Sequence, residues 1–164
     1  MPNKHAVLSA SSSHRWLACP PSALLFAKAG DTASEFAMQG TDAHSLCEHK
    51  LKKSLGQKSK DPTEDLQYFD EEMADCSDMY AQYVMEQLVA AKEKCKDPIL
   101  LIEQHLDFSK WVPQGFGTGD CVIVADETLQ VIDFKYGVGI LVDAEKKPQM
   151  MCYVLGALQL FDGI

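Results

Sequence analysis

The sequence predicts an α/β fold in which a buried helix packs on a sheet. Three observations predict it. The first hundred residues carry apolar side chains at helical spacing, residues 99–135 carry β-branched runs, and Pro148–Phe161 is apolar nearly all round. At 164 residues the chain is long enough for one domain, 1–164, with a real core. No apolar run approaches a membrane span, and no basic-then-apolar leader opens the chain. The six cysteines include no Cys-x-x-Cys pair, which argues against a zinc knuckle or disulfide framework and fits a reducing cytoplasm.

Taken in order, the first element follows a serine-rich lead, an aromatic anchor at Trp16 and a Pro20-Pro21 break. Ser22 is placed to cap a short helix through Leu24, Leu25 and Phe26. A second helix is expected over Thr32–Leu55, with Phe36, Ala43, Cys47, Leu51 and Leu55 as its apolar stripe. Gly40 interrupts it at a cost of about 1 kcal/mol against alanine, a sign that something approaches closely there. An acidic third helix is expected over Thr63–Lys96, burying Leu66, Phe69, Met73, Met79, Tyr80, Tyr83, Val84 and Leu88 on one side. A strand follows at residues 98–109, then a loop, then two strands, and last a helix that begins at Pro148, a good first-turn residue.

The two central strands, 119–125 and 128–135, flank Asp126-Glu127, a polar pair short enough for a hairpin turn. Antiparallel partners across such a turn have numbers with a constant sum. Ala125 then faces Thr128, Val122 faces Val131, and Asp120 faces Asp133, with Cα atoms roughly 4.5–5.5 Å apart. A three-residue loop would slip this register by one and move the partner to the other face. Lys135 lies two positions beyond Asp133 and therefore on the same side. Aspartates and lysines are common where strands meet solvent. Yet two facing carboxylates repel, and a divalent cation relieves that repulsion.

Net charge is −9, but its distribution matters more than its total. Residues 61–97 hold 11 acids and 3 lysines, while the rest of the chain is nearly balanced. Lys50, Lys52, Lys53, Lys58 and Lys60 form a run without an acid, which reads either as a solvated face or as a surface open to a polyanion. The Gly-rich "GFGTGD" precedes a strand rather than a helix, which excludes a dinucleotide loop. His44 and Glu48 share a helix face, as do Gln149 and Tyr153 one turn apart on the last helix.

Four short motifs in fixed order carry the functional reading: Gly40-Thr41-x-x-His44, Gly117-x-x-Asp120, Asp133-x-Lys135 and Gln149-x-x-x-Tyr153. Together they resemble the RecB-like branch of the PD-(D/E)XK nuclease superfamily. The opening "SSSHRWLACPPSALL" is similar to the Ser-x-x-Arg and Cys-Pro lead of that branch, and residues 115–158 resemble a phage-associated nuclease family. The resemblance implies a restriction-endonuclease-like core, with a mixed sheet flanked by helices and extra N-terminal helices. It implies Mg²⁺ or Mn²⁺ held by Asp120, Asp133, the Phe134 carbonyl and His44. Lys135 would act on the attacking water and the developing charge, with Gln149 and Tyr153 positioning. Arg15, with Lys50, Lys52 and Lys53, would contact DNA, and phage or host recombination proteins would be the other partners.

Members of that branch continue past the last helix into a further strand, whereas this chain stops at "FDGI", so a truncated core is expected. Some carry an iron–sulfur cluster on a cysteine like Cys19 and three near the C-terminus; those three have no counterpart here, so no cluster is expected. The function expected is a metal-dependent deoxyribonuclease, more an exonuclease than a base-reading cutter. Its rivals are a non-catalytic module that holds DNA ends or a partner protein, and an acidic helix that mimics nucleic acid.

Overall fold

The computed structural model describes residues 6–29, 34–137 and 143–161. Among these the chain forms α1 (Ser13–Ala18), α2 (Pro21–Ala29), α3 (Glu35–Ser54), a 3₁₀ turn (Thr63–Asp65), α4 (Glu71–Lys94), β1 (Ile99–Asp107), β2 (Phe116–Ala125), β3 (Thr128–Ile132) and α5 (Pro148–Leu160). The fold is α/β: helices cover both faces of a three-stranded sheet in the order β1-β2-β3.

The sheet was expected to be mixed, yet among the described residues every pairing is antiparallel. The hairpin has the register read from its turn, with Ala125 opposite Thr128, Val122 opposite Val131 and Cys121 opposite Ile132. β3 ends at Ile132, three residues early, and β2 starts at Phe116, three residues early. Central β2 is buried on both faces, so it reads as a continuous apolar run rather than an alternation. Val122 and Val124 pack with Leu106, Cys152, Tyr153 and Ala157 toward α5; Cys121 and Ile123 pack with Cys47, Leu51, Tyr80 and Val84 toward α3 and α4.

Helix boundaries move for reasons of capping. The expected start at Thr32 lies outside the described residues; α3 begins at Glu35 because the Ser34 hydroxyl accepts from the Ala37 N–H at 3.2 Å. The acidic helix begins eight residues late, at Glu71, where the Asp70 carboxylate accepts from the Met73 N–H at 2.7 Å. Its buried stripe is Met73, Ser77, Tyr80, Ala81, Val84 and Leu88, and Phe69, Met79 and Tyr83 are exposed instead. Ser22 does not cap α2, which already starts at Pro21, and among the described residues the Ser22 hydroxyl is buried without a partner. Among the described residues, no helix is long and apolar enough to cross a membrane.

Two glycines have opposite meanings. A Cβ on Gly156 would lie 2.8 Å from Leu106 Cβ and 3.0 Å from its carbonyl carbon, so this glycine lets α5 lie close against β1. A Cβ on Gly40 would meet nothing within 4 Å, so the close approach expected there is absent among the described residues. Gly156→Ala should therefore destabilise the fold by about 1–3 kcal/mol through overpacking. Gly40→Ala should stabilise it by about 0.5–1 kcal/mol through helix propensity and lost unfolded-state freedom. Thermal unfolding of the two variants should shift the midpoint in opposite directions.

Candidate metal centre

β2 carries the centre of the site. Asp120 is buried, and one of its carboxylate oxygens accepts the Phe134 N–H at 2.6 Å. That amide belongs to the peptide joining Asp133 to Phe134, so the Asp120 side chain takes over where the β2–β3 ladder stops. The other Asp120 oxygen lies 3.3 Å from His44 Nδ1, and His44 comes from α3. The His44 ring meets Phe134 edge-on at 5.8 Å between centroids, which fixes its tilt.

Glu103 completes this group, and sequence reasoning missed it. His44, Glu103 and Asp120 each offer one ligand atom, and the three atoms lie within 4.8 Å of one another. In the β1–β2 ladder Ile102 faces Cys121 and Gln104 faces Gly119, so Glu103 stands opposite Asp120. Its backbone is left-handed, with φ of 47°. A non-glycine residue pays about 1–2 kcal/mol for that conformation, and such strain concentrates at functional sites. The one available sequence signal was a lone acid inside an apolar strand.

Asp133 lies beside this group rather than in it. Its side chain is 6% exposed, and one oxygen pairs with the Lys135 ammonium at 2.6 Å. The other accepts from the Gln149 amide at 3.2 Å, and the same amide reaches the Tyr153 hydroxyl at 3.1 Å. The structure thus brings Asp133, Lys135, Gln149 and Tyr153 into one hydrogen-bonded chain running from the segment after β3 to α5. Phe134 meets Asp120 through its N–H, whereas the resemblance implied a role for its carbonyl.

The titration of these groups reflects their crowding. Burial, then the Asp120 charge, pushes Glu103 up to about 7. Burial also raises Asp133, against the pull of Lys135. Burial alone would lower His44, but its hydrogen bond to Asp120 and that group's charge prevail and raise it. Burial pushes the Tyr153 phenol well above its ordinary value, so it stays protonated. Two carboxylates and an imidazole suit Mg²⁺ or Mn²⁺, and the nitrogen donor tilts the set toward Mn²⁺.

The residues implied to meet DNA are placed differently. Lys50 pairs with Asp78 at 2.7 Å and donates to the Ala74 carbonyl at 2.6 Å, and Lys52 pairs with Glu48. Lys60 pairs with Asp65 at 2.6 Å. Lys53 stays exposed and forms no ion pair among the described residues. Arg15 stacks 4.0 Å above the Phe26 ring and lines a cavity of mixed polarity, with Ser9, Ser12 and His14 on one side and Val7 and Ala27 among its apolar wall.

The chain belongs to the family described as "Protein of unknown function (DUF2800)". The match covers residues 5–164, and so takes in every residue of the site. No solved structure matches the chain.

The elevated Glu103 makes this cluster of the DUF2800 chain testable without any substrate. Its folded pKa of about 7 lies above the ordinary 4.5. A carboxyl raised in this way contributes stability at low pH that is lost as pH rises from the ordinary value through the folded one. Glu103→Gln should therefore match wild type near pH 4.5, yet be more stable by about 1–2 kcal/mol at pH 8 after solvent screening. The same variant should bind Mn²⁺ at least about tenfold more weakly. Thermal melts across pH and Mn²⁺ calorimetry check both outcomes.

Proposed function

We propose that this chain is a metal-dependent DNA nuclease of restriction-endonuclease-like core, hydrolysing phosphodiester bonds as an exonuclease. One observation carries the reading. The convergent ligand atoms of His44, Glu103 and Asp120 stand beside an Asp133–Lys135 pair just past the end of β3. Its motifs come in the order expected from the nuclease resemblance, and Glu103 adds a donor that the resemblance did not require.

A bound Mg²⁺ or Mn²⁺ would polarise a phosphoryl oxygen and make its bound water more acidic. The chain's own residues supply the rest. Asp120 is aimed by the Phe134 N–H, so its second oxygen is directed at the ligand cluster. Lys135 is 45% exposed and anchored at one end by Asp133, so its ammonium can also donate to a phosphate oxygen or the attacking water. As that water bonds to phosphorus and the P–O ester bond breaks, Lys135 offsets the charge gathering on the phosphoryl oxygens. Gln149, held by the neutral Tyr153 hydroxyl, keeps the Asp133 carboxylate in place.

Acid mimicry by the 61–97 segment is the weaker reading, because three of its acids already have local work. Asp70 caps α4, Asp78 holds Lys50, and Asp65 holds Lys60. The remaining alternative is a nuclease-like module that holds DNA without cutting it. Lys135→Ala separates the two. The variant should keep its fold and its Mn²⁺ affinity, yet degrade end-labelled linear DNA at least about a hundredfold more slowly, the loss typical of one preorganised electrostatic group. Wild type that binds such DNA but shows no chelator-sensitive cutting would support the holding module instead.

A further inference from the structure

A second pocket, of about 260 Å³, opens at the edge of β3. Small-molecule sites begin at roughly 300 Å³, so the space suits a phosphate with part of its sugar rather than a whole ligand. Asp133, Lys135 and Lys147 line it, with Asp143, Tyr83 and Gln130 around them. Lys147 is the residue before the first turn of α5, two positions from Gln149. It is partly buried and forms no ion pair among the described residues, whereas its neighbour Lys146 is exposed and pairs with Glu145.

Two lysines opening into one small pocket repel each other. Burial, and then the Lys135 charge, hold Lys147 below its ordinary value, with Asp133 pulling the other way. Asp133 is already shared between Lys135 and Gln149. Asp143 is exposed, and its carboxylate accepts the Glu145 N–H at 2.9 Å. The pocket therefore offers a cation whose own carboxylate neighbours are engaged elsewhere. An anion seated between these two ammonium groups relieves their repulsion.

We propose that Lys147 and Lys135 together seat a phosphate of the nucleic-acid strand beside the bond to be cut, with Lys147 as a positioning residue. This rests on the nuclease reading for the position of the cut, but the seat itself can be tested without cutting. The probe is a 5′-phosphorylated single-stranded oligonucleotide with Ca²⁺ replacing Mn²⁺, titrated over a salt series. Wild type is compared with Lys147→Met, Lys147→Arg and Lys146→Met.

Lys147→Met should weaken binding about tenfold and reduce the salt slope by about 0.7, the value for one phosphate contact on a single strand. Lys147→Arg should restore most of both, and Lys146→Met should match wild type. With Mn²⁺, Lys147→Met should raise KM about tenfold and leave kcat within about threefold, because the contact is uniform between ground and transition states. Lys147→Met indistinguishable from Lys146→Met in affinity and slope would overturn the seat, as would a Lys147→Arg variant no better than Lys147→Met. Binding contrasts as expected, in a wild type that does not cut, would uphold the seat and sink the nuclease reading alone. Inorganic phosphate competing as well as the oligonucleotide would overturn a strand site in favour of a free-phosphate one.

Discussion

The hydrogen bond from the Phe134 N–H to Asp120 is the constraint on which the site depends. β3 leaves the ladder after Ile132, and a backbone donor at the end of a strand must find an acceptor or face the cost of burial unpaired. Asp120 supplies that acceptor from a side chain, at 2.6 Å, while itself buried in the central strand. A buried carboxylate in turn demands compensation, and it finds the second part in His44 on a different layer of the fold. One side chain therefore ends the hairpin, ties α3 to the sheet and orients the ligand cluster. The adjacent peptide also fixes where Asp133 and Lys135 emerge.

How much of this was legible follows from which registers a sequence can set. The β2–β3 register was readable because Asp126-Glu127 is too short to permit more than one in-face alignment, and Val122 opposite Val131 confirms it. Glu103 was not readable. Its position opposite Asp120 depends on the β1–β2 register, and residues 108–115 between those strands are too many to set it. Its left-handed backbone leaves no mark on the sequence either. The division of the aspartates was hidden for a similar reason. Adjacent positions in a ladder say that two carboxylates are close, not which partner each will take, and Gln149 with Lys135 claims Asp133.

The basic run illustrates the limit of local charge reading. Lys50, Lys52 and Lys60 have no acid within their own stretch, yet two of the three are answered from outside it by Asp78 and Asp65, and Lys52 by Glu48 one turn back. Helix α3 packs along α4 through apolar side chains, and Lys50 at the margin of that contact pairs with Asp78 of α4. The excess acid of residues 61–97 is thus partly spent within the fold. These pairs leave the net charge of −9 unchanged, so a polyanion is attracted only where a lysine stays outside them, as Lys53 does among the described residues.

The electrostatics of the cluster bear on how its members share charge. Glu103, Asp120 and Asp133 are three acids in a partly dry region, faced by His44 and Lys135. Desolvation and mutual repulsion push Glu103 and Asp133 up, and His44 responds in the opposite sense to the one burial alone would dictate. The imidazole is raised because it serves as the local counter-cation for Asp120. On the proposed reading, a divalent ion does that work better: it carries twice the charge, accepts all three donors at once and lets His44 bind in its neutral form. The strain at Glu103 then has a physical purpose. The left-handed backbone at Glu103 accompanies the convergence of its carboxylate on His44 and Asp120.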